Sequence, residues 1–401
     1  MKLNRNFHLL LAGQSLANTG DILYIVSVIY ASFELIGSAT AAAFVPFTIT
    51  GAMFVSNTLT PMLMQRFNLK WLLAASQFGK TGLLAVLALL LPLLSMSNYI
   101  LLFAVLALIA LLDGCANPVT RSLIPAYVDN SLLLKANSIT ESVTQGIQTA
   151  MWFIGSSLLI WLAAEELLWL TAGLFLLSSL LLSLLEPVAL QPNQEQGRWQ
   201  QITKGWQTVS STPVLKRLAA MDVLETIAGT VWIAAILYVF VSDALLVNEK
   251  WWGFINGSFF LGLIGGSLLC LRFAESIEKN LGTFIFAGAF HSSAVTLLFG
   301  LNNVPLLALV LSFLVGIFGQ LKNIPQQTVI QTSVPREALP TVFTTLGAIA
   351  TGTFGVASLL MGVLADAFGI RTVFIIAGLL LAAASLIAFK GRVLLWKTAQ
   401  Q

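Results

Sequence analysis

Residues 7–31 read FHLLLAGQSLANTGDILYIVSVIYA and contain one acidic side chain, Asp21. A helix needs about 20 consecutive, mostly apolar residues to cross the hydrocarbon core of a bilayer, so this stretch is long enough. An ionised side chain at such a depth is costly and usually serves an ion, a proton or a substrate. The stretch therefore predicts a membrane-spanning helix that carries a functional carboxylate.

Stretches of similar length and composition follow along the whole chain. Charged residues make up 9% of the 401 residues, against about 25% in soluble proteins. We therefore expect an all-α membrane protein with twelve transmembrane helices. The predicted spans are residues 7–31, 40–64, 71–94, 99–119, 137–162, 167–185, 218–241, 251–271, 281–301, 305–324, 339–364 and 372–389.

The basic residues predict the orientation, because lysine and arginine favour the cytoplasmic loops of membrane proteins. With a cytoplasmic N-terminus, only Lys250 and Arg371 fall on the outer side, and Lys322 is assigned to the inner end of the tenth span. We expect a multi-pass protein of the cell inner (cytoplasmic) membrane with both termini in the cytoplasm. This topology explains the net charge of +3, so no nucleic-acid partner is expected.

One polar stretch, residues 188–217, divides the chain into two halves. We expect an N-terminal six-helix bundle at 1–187, a cytoplasmic linker at 188–217 and a C-terminal six-helix bundle at 218–401. LIPAYV at 123–128 is echoed by VIQTSV at 329–334, after the fourth span of each half. Two such bundles place a substrate site between the halves, near the midplane of the membrane.

Short motifs along the chain carry a family resemblance. They are GD at 20–21, RFNLK at 66–70, NP at 117–118, IP at 124–125, AN at 136–137 and QTSVP at 331–335. In these motifs the sequence resembles the major facilitator superfamily, and within it a drug exporter branch that includes macrolide efflux proteins. The resemblance implies the major facilitator fold, and it makes Arg66 a candidate gate residue. Pro61 and Gln65 depart from the family motif, which has a glycine and an acidic residue there.

Polar or small residues recur at i, i+4 and i+7 on four of the spans, so each span turns one polar stripe away from lipid. Such a stripe lines a substrate cavity in one interpretation and joins helices in the other. Aromatic residues in the cavity would hold flat or cationic compounds by stacking and cation–π contacts. The cavity candidates are Gln14, Asn18, Tyr24, Gln145, Gln148, Trp152, Trp232, Gln320 and Asn323.

Asp21 lies about 21 Å along its helix, near the middle of the bilayer core. In one interpretation it exchanges a proton for a cationic substrate, because a low dielectric favours the protonated carboxyl and a nearby cation favours its release. In the other, Asp21 forms a permanent ion pair with Lys80, the deep cation of the third span. That pair would make both residues structural.

The remaining charges of the spans are predicted to act in coupling, at gates or in ion pairs. Glu225 is a second candidate for proton coupling. A latch between Asp113 and Arg121 is predicted at the end of the fourth span, and Asp222 is expected to pair with basic residues at an inner gate. The full set of gate or ion-pair candidates is Lys80, Asp113, Arg121, Glu141, Asp222 and Arg66.

The sequence predicts a secondary active transporter that exports amphipathic or cationic drugs in exchange for protons. Two alternatives remain open, namely an exporter or flippase of a natural lipid or siderophore, and a non-transporting membrane receptor on the same fold. No grouping of His or Cys supplies a nucleophile, a base or a metal site at depth, so neither an enzyme nor a cofactor is expected. The expected partners are the lipid bilayer, protons and a small amphipathic substrate, and the chain is expected to be a monomer.

Overall fold

The computed structural model describes residues 3–36, 39–64, 67–95, 97–158, 161–188, 198–232, 234–248 and 250–397. Within these ranges it contains α-helices and short 3-10 and π turns, and no β-strand. The helices are α1 (Arg5–Ile36), α2 (Ala39–Met64), α3 (Leu69–Leu90), α4 (Ile100–Tyr127), α5 (Leu133–Leu158), α6 (Ala164–Ser183), α7 (Arg198–Ser211), α8 (Pro213–Gly229), α9 (Ala234–Val239), α10 (Lys250–Arg272), α11 (Ala274–Glu278), α12 (Leu281–Leu301), α13 (Pro305–Thr332), α14 (Leu339–Phe368) and α15 (Ile370–Lys397).

Most of these helices are long and apolar enough to cross a membrane. In the described ranges nine helices meet this condition, and the count is ten if the segments at 213–232 and 236–244, bent by 51° to each other, form one span. The prediction of an all-helical membrane protein is confirmed. The number of twelve transmembrane helices stays a prediction.

The chain divides into two compact units. Unit 1 contains Met1–Asp129, Gly146–Trp206 and Arg336–Thr351. Unit 2 contains Asn130–Gln145, Gln207–Pro335 and Gly352–Gln401. The domain boundaries at residues 187 and 217 stay a prediction.

Both units pack their helices in the same order. In unit 1, α2 packs on α4, α4 on α3, α3 on α6 and α6 on α1. In unit 2, α10 packs on α13, α13 on α12, α12 on α15 and α15 on α8. If α8 is taken as the first long helix of its half, the order in both units is second, fourth, third, sixth and first. This shared order is a structural repeat of the kind found in transporters.

Small residues allow close contact between α10 and α13 in unit 2. Gly262 of α10 faces the carbonyl of Phe313, and Gly316 of α13 faces the carbonyl of Phe259, so a Cβ at either glycine would overlap the neighbouring backbone. Close backbone approach at small residues is a main source of helix association in lipid, where no hydrophobic effect drives it. The contact fixes α13 against α10 and so sets the position of Lys322 further along α13.

Candidate functional site

A buried lysine joins two carboxylates in unit 1. Lys80 Nζ on α3 donates hydrogen bonds to Asp21 Oδ1 on α1, at 2.5 Å, and to Asp113 Oδ1 on α4, at 2.9 Å. The Lys80 side chain has no solvent exposure, whereas the side chains of Asp21 and Asp113 are 20% and 19% exposed. We call these three residues the triad. Its accessible edge consists of carboxylates, and the ammonium group lies behind them.

Aromatic packing holds Lys80 in place. The Phe175 ring of α6 is fully buried, and its centroid lies 4.4 Å from Lys80 Nζ, a cation–π distance. Tyr24 meets the same ring edge-on, with 6.4 Å between the ring centroids. A Cβ at Gly20 would lie 2.5 Å from Phe175 Cε1, so only glycine fits there without a shift of the ring. The Gly20-Asp21 motif therefore brings the ring and the carboxylate together around one ammonium group.

The triad contains more negative groups than positive ones. With all three groups ionised its net charge is −1, because two carboxylates face one ammonium group. An uncompensated charge in a buried site is costly, so the triad gains from binding one further positive charge. The two interpretations of Asp21 are therefore compatible. Lys80 balances the charge of one carboxylate, and binding of a proton or a cationic group by the other stays a prediction.

A second buried ion pair lies in unit 2. Lys322 Nζ of α13 donates a hydrogen bond to Glu225 Oε2 of α8. The two side chains are 10% and 9% exposed. Among the residues that the structure describes, none forms a hydrogen bond with Glu225 Oε1. We call these two residues the balanced pair, because one cation meets one carboxylate and the net charge is zero.

The sequence did not predict the pair of Lys322 with Glu225, and the position of Lys322 near the cytoplasmic side of the membrane stays a prediction. α13 continues through Pro325 to Thr332, so Lys322 lies inside the helix and its side chain is buried. The signal that could have found the pair is the repeat, since α8 and α13 are the first and fourth long helices of their half, as α1 and α4 are in unit 1.

Two of the predicted cavity aromatics, Trp232 and Tyr24, lie in packed cores. In unit 2 the Trp232 ring stacks on Phe259 at 5.8 Å and lies 4.8 Å from Phe299, centroid to centroid. Trp232 keeps partial exposure, whereas Tyr24 is 1% exposed in the core of unit 1. The side chain of Trp152 lies outside the described residues. Contact of these rings with a substrate stays a prediction.

The polar stripe of α13 does not face one way. Gln320 is 2% exposed and lies against α10, where Gly266 faces its Cβ. Asn323, three residues further on, is exposed. For Gln320 the structure agrees with the helix-joining interpretation, and Asn323 keeps the cavity interpretation.

The polar residues predicted on α1 and α5 are half-buried. Gln14 and Asn18 have this intermediate exposure on α1, and so does Gln148 on α5. Gln145 Nε2 donates to Glu141 Oε2 at 3.4 Å, one turn apart on α5. Half-exposed polar side chains on a membrane helix are consistent with a wet surface, so their cavity role stays a prediction.

The gate residues are placed in part. The partner that the structure shows for Asp113 is Lys80, and the latch with Arg121 stays a prediction. Arg121 is exposed and Asp222 is half-buried. Arg66 lies outside the described residues.

The chain is similar to known membrane proteins over nearly its whole length. No family model matches the sequence. It is 27% identical over 396 residues to a protein of Bacillus subtilis (strain 168) named "Uncharacterized MFS-type transporter YfmI", with 96% of each chain covered. It is 28% identical over 389 residues to "Uncharacterized MFS-type transporter YjbB" of the same organism, with 96% of this chain and 95% of that protein covered.

Solved structures share the fold at low sequence identity. The crystal structure of FucP, a Major Facilitator Superfamily transporter in the outward conformation, matches with a TM-score of 0.76 at 16% identity over 97% of this chain and 99% of that chain. The human organic anion transporter MFSD10 matches with a TM-score of 0.79 at 12% identity over 96% and 99% of the two chains. Likenesses at these identities show the fold alone. The chain has the major facilitator fold of a multi-pass membrane protein, and its sequence is similar to proteins named as MFS-type transporters.

Proposed function

We propose that the chain is a secondary active transporter that exports amphipathic or cationic compounds from the cytoplasm in exchange for protons. The triad is the observation that carries the proposal. Its two carboxylates share one buried ammonium group and leave one negative charge at an accessible edge. A proton and a cationic group both neutralise that charge, so each weakens the binding of the other, and this reciprocal effect couples the two.

The proposal includes the topology and the substrate class that the sequence predicts. Twelve transmembrane helices form two six-helix bundles in the inner membrane, with both termini in the cytoplasm, and the chain acts as a monomer. The substrates are drugs of the kind exported by the macrolide efflux branch, so export confers antibiotic resistance. The distribution of basic residues and the short family motifs support these assignments.

The test is transport by the purified protein in proteoliposomes with an imposed pH gradient and a panel of amphipathic cations. We expect uptake driven by the gradient in the wild type. Asp21→Asn should abolish it, because Asp113 and Lys80 then balance each other and no negative charge remains for a proton. Asp243→Asn is the matched control, since Asp243 is an exposed carboxylate outside the triad. Gradient-driven uptake by Asp21→Asn at the wild-type rate would refute the coupling role.

The same assay separates the alternative functions. Substrate binding without counterflow would favour a non-transporting receptor. Transport of a lipid or siderophore, with none of the drug panel moved, would favour an exporter or flippase of a natural compound. In either case the drug-export proposal fails.

A further inference from the structure

We infer that His291 and the aromatic rings beside it form a membrane-facing binding site for a small, neutral phenol dissolved in the bilayer core. The site lies on α12 in unit 2, whereas the triad that carries the proposed function lies in unit 1. The inference therefore goes beyond the proposed function and does not depend on it. It rests on the depth of His291, the exposure of its ring and the hydrogen bond that its Nδ1 makes.

His291 lies at the middle of a helix that is long enough to span a membrane. α12 runs over the 21 residues Leu281–Leu301, and His291 is at its centre. At about 1.5 Å per residue the ring is about 15 Å from either end, at the midplane of a hydrocarbon core about 30 Å thick. A polar side chain at this depth finds no water, so it normally faces protein or serves a ligand.

The His291 ring does not face protein. One side of α12 packs on α13 and α15, and the other side is exposed. Along α12, all of which the structure describes, the exposed residues are Thr283, Phe290, His291, Leu298 and Leu301. Between Thr283 near one end and Leu301 at the other, His291 is the one polar member of this face. An apolar, exposed face on a spanning helix meets lipid, so the imidazole is directed at the acyl chains.

Two phenylalanine rings hold the imidazole in place. The His291 ring stacks on Phe318 of α13, with 4.8 Å between the ring centroids and 25° between the planes. Phe290 meets the imidazole edge-on, with 5.6 Å between the centroids. α13 comes this close because Gly288 of α12 faces the carbonyl of Phe318. We call Phe290, His291 and Phe318 the aromatic patch, and its exposed Phe290 ring offers a flat ligand a stacking surface.

A backbone hydrogen bond decides what the imidazole offers to a ligand. His291 Nδ1 lies 2.7 Å from the carbonyl oxygen of Ala287, one turn earlier on α12. A carbonyl oxygen can only accept, so Nδ1 carries the proton, and in the neutral ring Nε2 is then an acceptor. The neutral ring suits this depth, because a charge at the bilayer centre is costly. Within the described part of the chain the ring makes no other hydrogen bond, so Nε2 is open to a donor from outside the protein.

The depth of Nε2 excludes the ordinary components of a bilayer as its donor. Acyl chains have no donor, and water and lipid headgroups lie outside the core, about 15 Å away. A second copy in an isologous contact along α12 would set His291 against His291, an acceptor against an acceptor. A cationic donor would bring an unpaired charge to the midplane. A neutral hydroxyl on an apolar body fits, and the Phe290 ring favours an aromatic body, hence a phenol.

The experiment observes the imidazole nitrogens directly. Full-length protein whose histidines carry the heavy nitrogen isotope is reconstituted in phospholipid liposomes, and solid-state NMR records the ring signals. The chain has two histidines, His8 and His291, so His8→Gln assigns the spectrum. The probe is para-pentylphenol, and its matched control is para-pentylanisole, which has the same apolar body but no hydroxyl proton. His8 is exposed near the N-terminus and gives the non-specific response.

We expect the phenol to shift the Nε2 signal of His291 until the site saturates, and the ether to leave it in place, because only the phenol donates a hydrogen bond. An equal shift with the ether, no shift with either compound, or a shift that grows without saturation would overturn the inference. A signal that moves with the ratio of protein to lipid in the absence of phenol would show a second copy on the patch, and this result would overturn it as well.

A variant without the acceptor gives an independent measurement. A para-alkylphenol with a diazirine in its chain is photolysed in the liposomes, and mass spectrometry measures the label on α12 and α13. His291→Phe keeps a ring but has no acceptor, so loss of one ordinary hydrogen bond should lower this labelling about fivefold at subsaturating probe. Leu298→Phe adds a ring to the same face two turns away and should leave it unchanged. Wild-type labelling of His291→Phe would overturn the inference, and if that variant fails to fold, the NMR titration of the wild type decides.

Discussion

The two units hold buried lysines in different ways. In unit 1, Lys80 donates hydrogen bonds to two partly exposed carboxylates, and the Phe175 ring covers the ammonium group. In unit 2, Lys322 donates a hydrogen bond to Glu225 alone, and both side chains are about nine-tenths buried. Asp21 of α1 and Glu225 of α8 lie on corresponding helices, and so do Asp113 of α4 and Lys322 of α13. The same packing order therefore carries an unbalanced site in one unit and a balanced one in the other.

The difference separates a site that can titrate from one that holds its helices together. A balanced buried pair is at its lowest charge without any ligand, and losing one partner leaves an isolated charge. An unbalanced triad reaches zero charge only with a ligand. Burial alone does not mark the proposed coupling site, since the most buried of the three carboxylates, Glu225, belongs to the balanced pair.

Removal of each lysine should have the largest effect on stability. Lys80→Met and Lys322→Met each remove the cation from a carboxylate inside the helix bundle. Breaking a buried ion pair in this way costs about 3–5 kcal/mol. We expect both to lower the thermal unfolding midpoint of the detergent-solubilised protein. Glu225→Gln should restore Lys322→Met, because it removes the whole pair. Asp113→Asn should restore Lys80→Met only in part, since Asp21 remains. Equal recovery of the unfolding midpoint in both units would contradict the proposed difference between the triad and the balanced pair.

A methyl group at Gly20 should have a smaller effect, confined to unit 1. Gly20→Ala places a Cβ against the Phe175 ring, and overpacking of this kind costs about 1–3 kcal/mol. The shifted ring would also loosen the hold on Lys80, so coupled uptake should slow. Gly82→Ala on α3 is the control, because open space surrounds that position. We expect Gly82→Ala to leave the unfolding midpoint unchanged. An equal decrease of the midpoint in both variants would contradict the packing of Gly20 against the Phe175 ring.

The smallest expected effect tests the ring itself. Phe175→Leu keeps an apolar side chain but removes a cation–π contact that contributes on the order of 1 kcal/mol. Phe299→Leu in unit 2 is the matched control, because Phe299 is as buried and its ring contacts are Trp232, Phe240 and Phe374. We expect Phe175→Leu to lower the unfolding midpoint by less in the Lys80→Met variant than in the wild type, whereas Phe299→Leu should lower it equally in both. An equal effect of Phe175→Leu in both backgrounds would remove the ring from the triad.

Hydropathy predicts much of the fold, and the orientation that the basic residues indicate stays a prediction. Residues 7–31 and the stretches like it predicted an all-helical membrane protein, and the structure confirms that class. Asp21 and Lys80 could be found because each is a charge inside a long apolar run. Their partnership was one of two open interpretations, since a sequence does not say which helices meet.

Lys322 shows why the rest could not be predicted. Its helix continues through Pro325 into polar residues, so the end of the apolar run did not mark the end of the helix. Asp113 was predicted with Arg121 on its own helix, but the hydrogen bond from Lys80 reaches it from α3. Such contacts depend on helix packing, which small residues such as Gly20 and Gly262 allow through their shape. A hydropathy value does not describe the size or shape of a side chain, so it cannot predict these contacts.

Proton release on substrate binding tests the central claim most directly. Detergent-solubilised protein in weakly buffered solution is titrated with a monovalent cationic substrate, and a pH indicator records the protons released. We expect about one proton per bound cation in the wild type, because the two ligands exclude each other at the triad. Asp113→Asn should release none, and Glu225→Gln should release as many as the wild type. Saturating binding without release in the wild type, or undiminished release in Asp113→Asn, would contradict the triad as the exchange site.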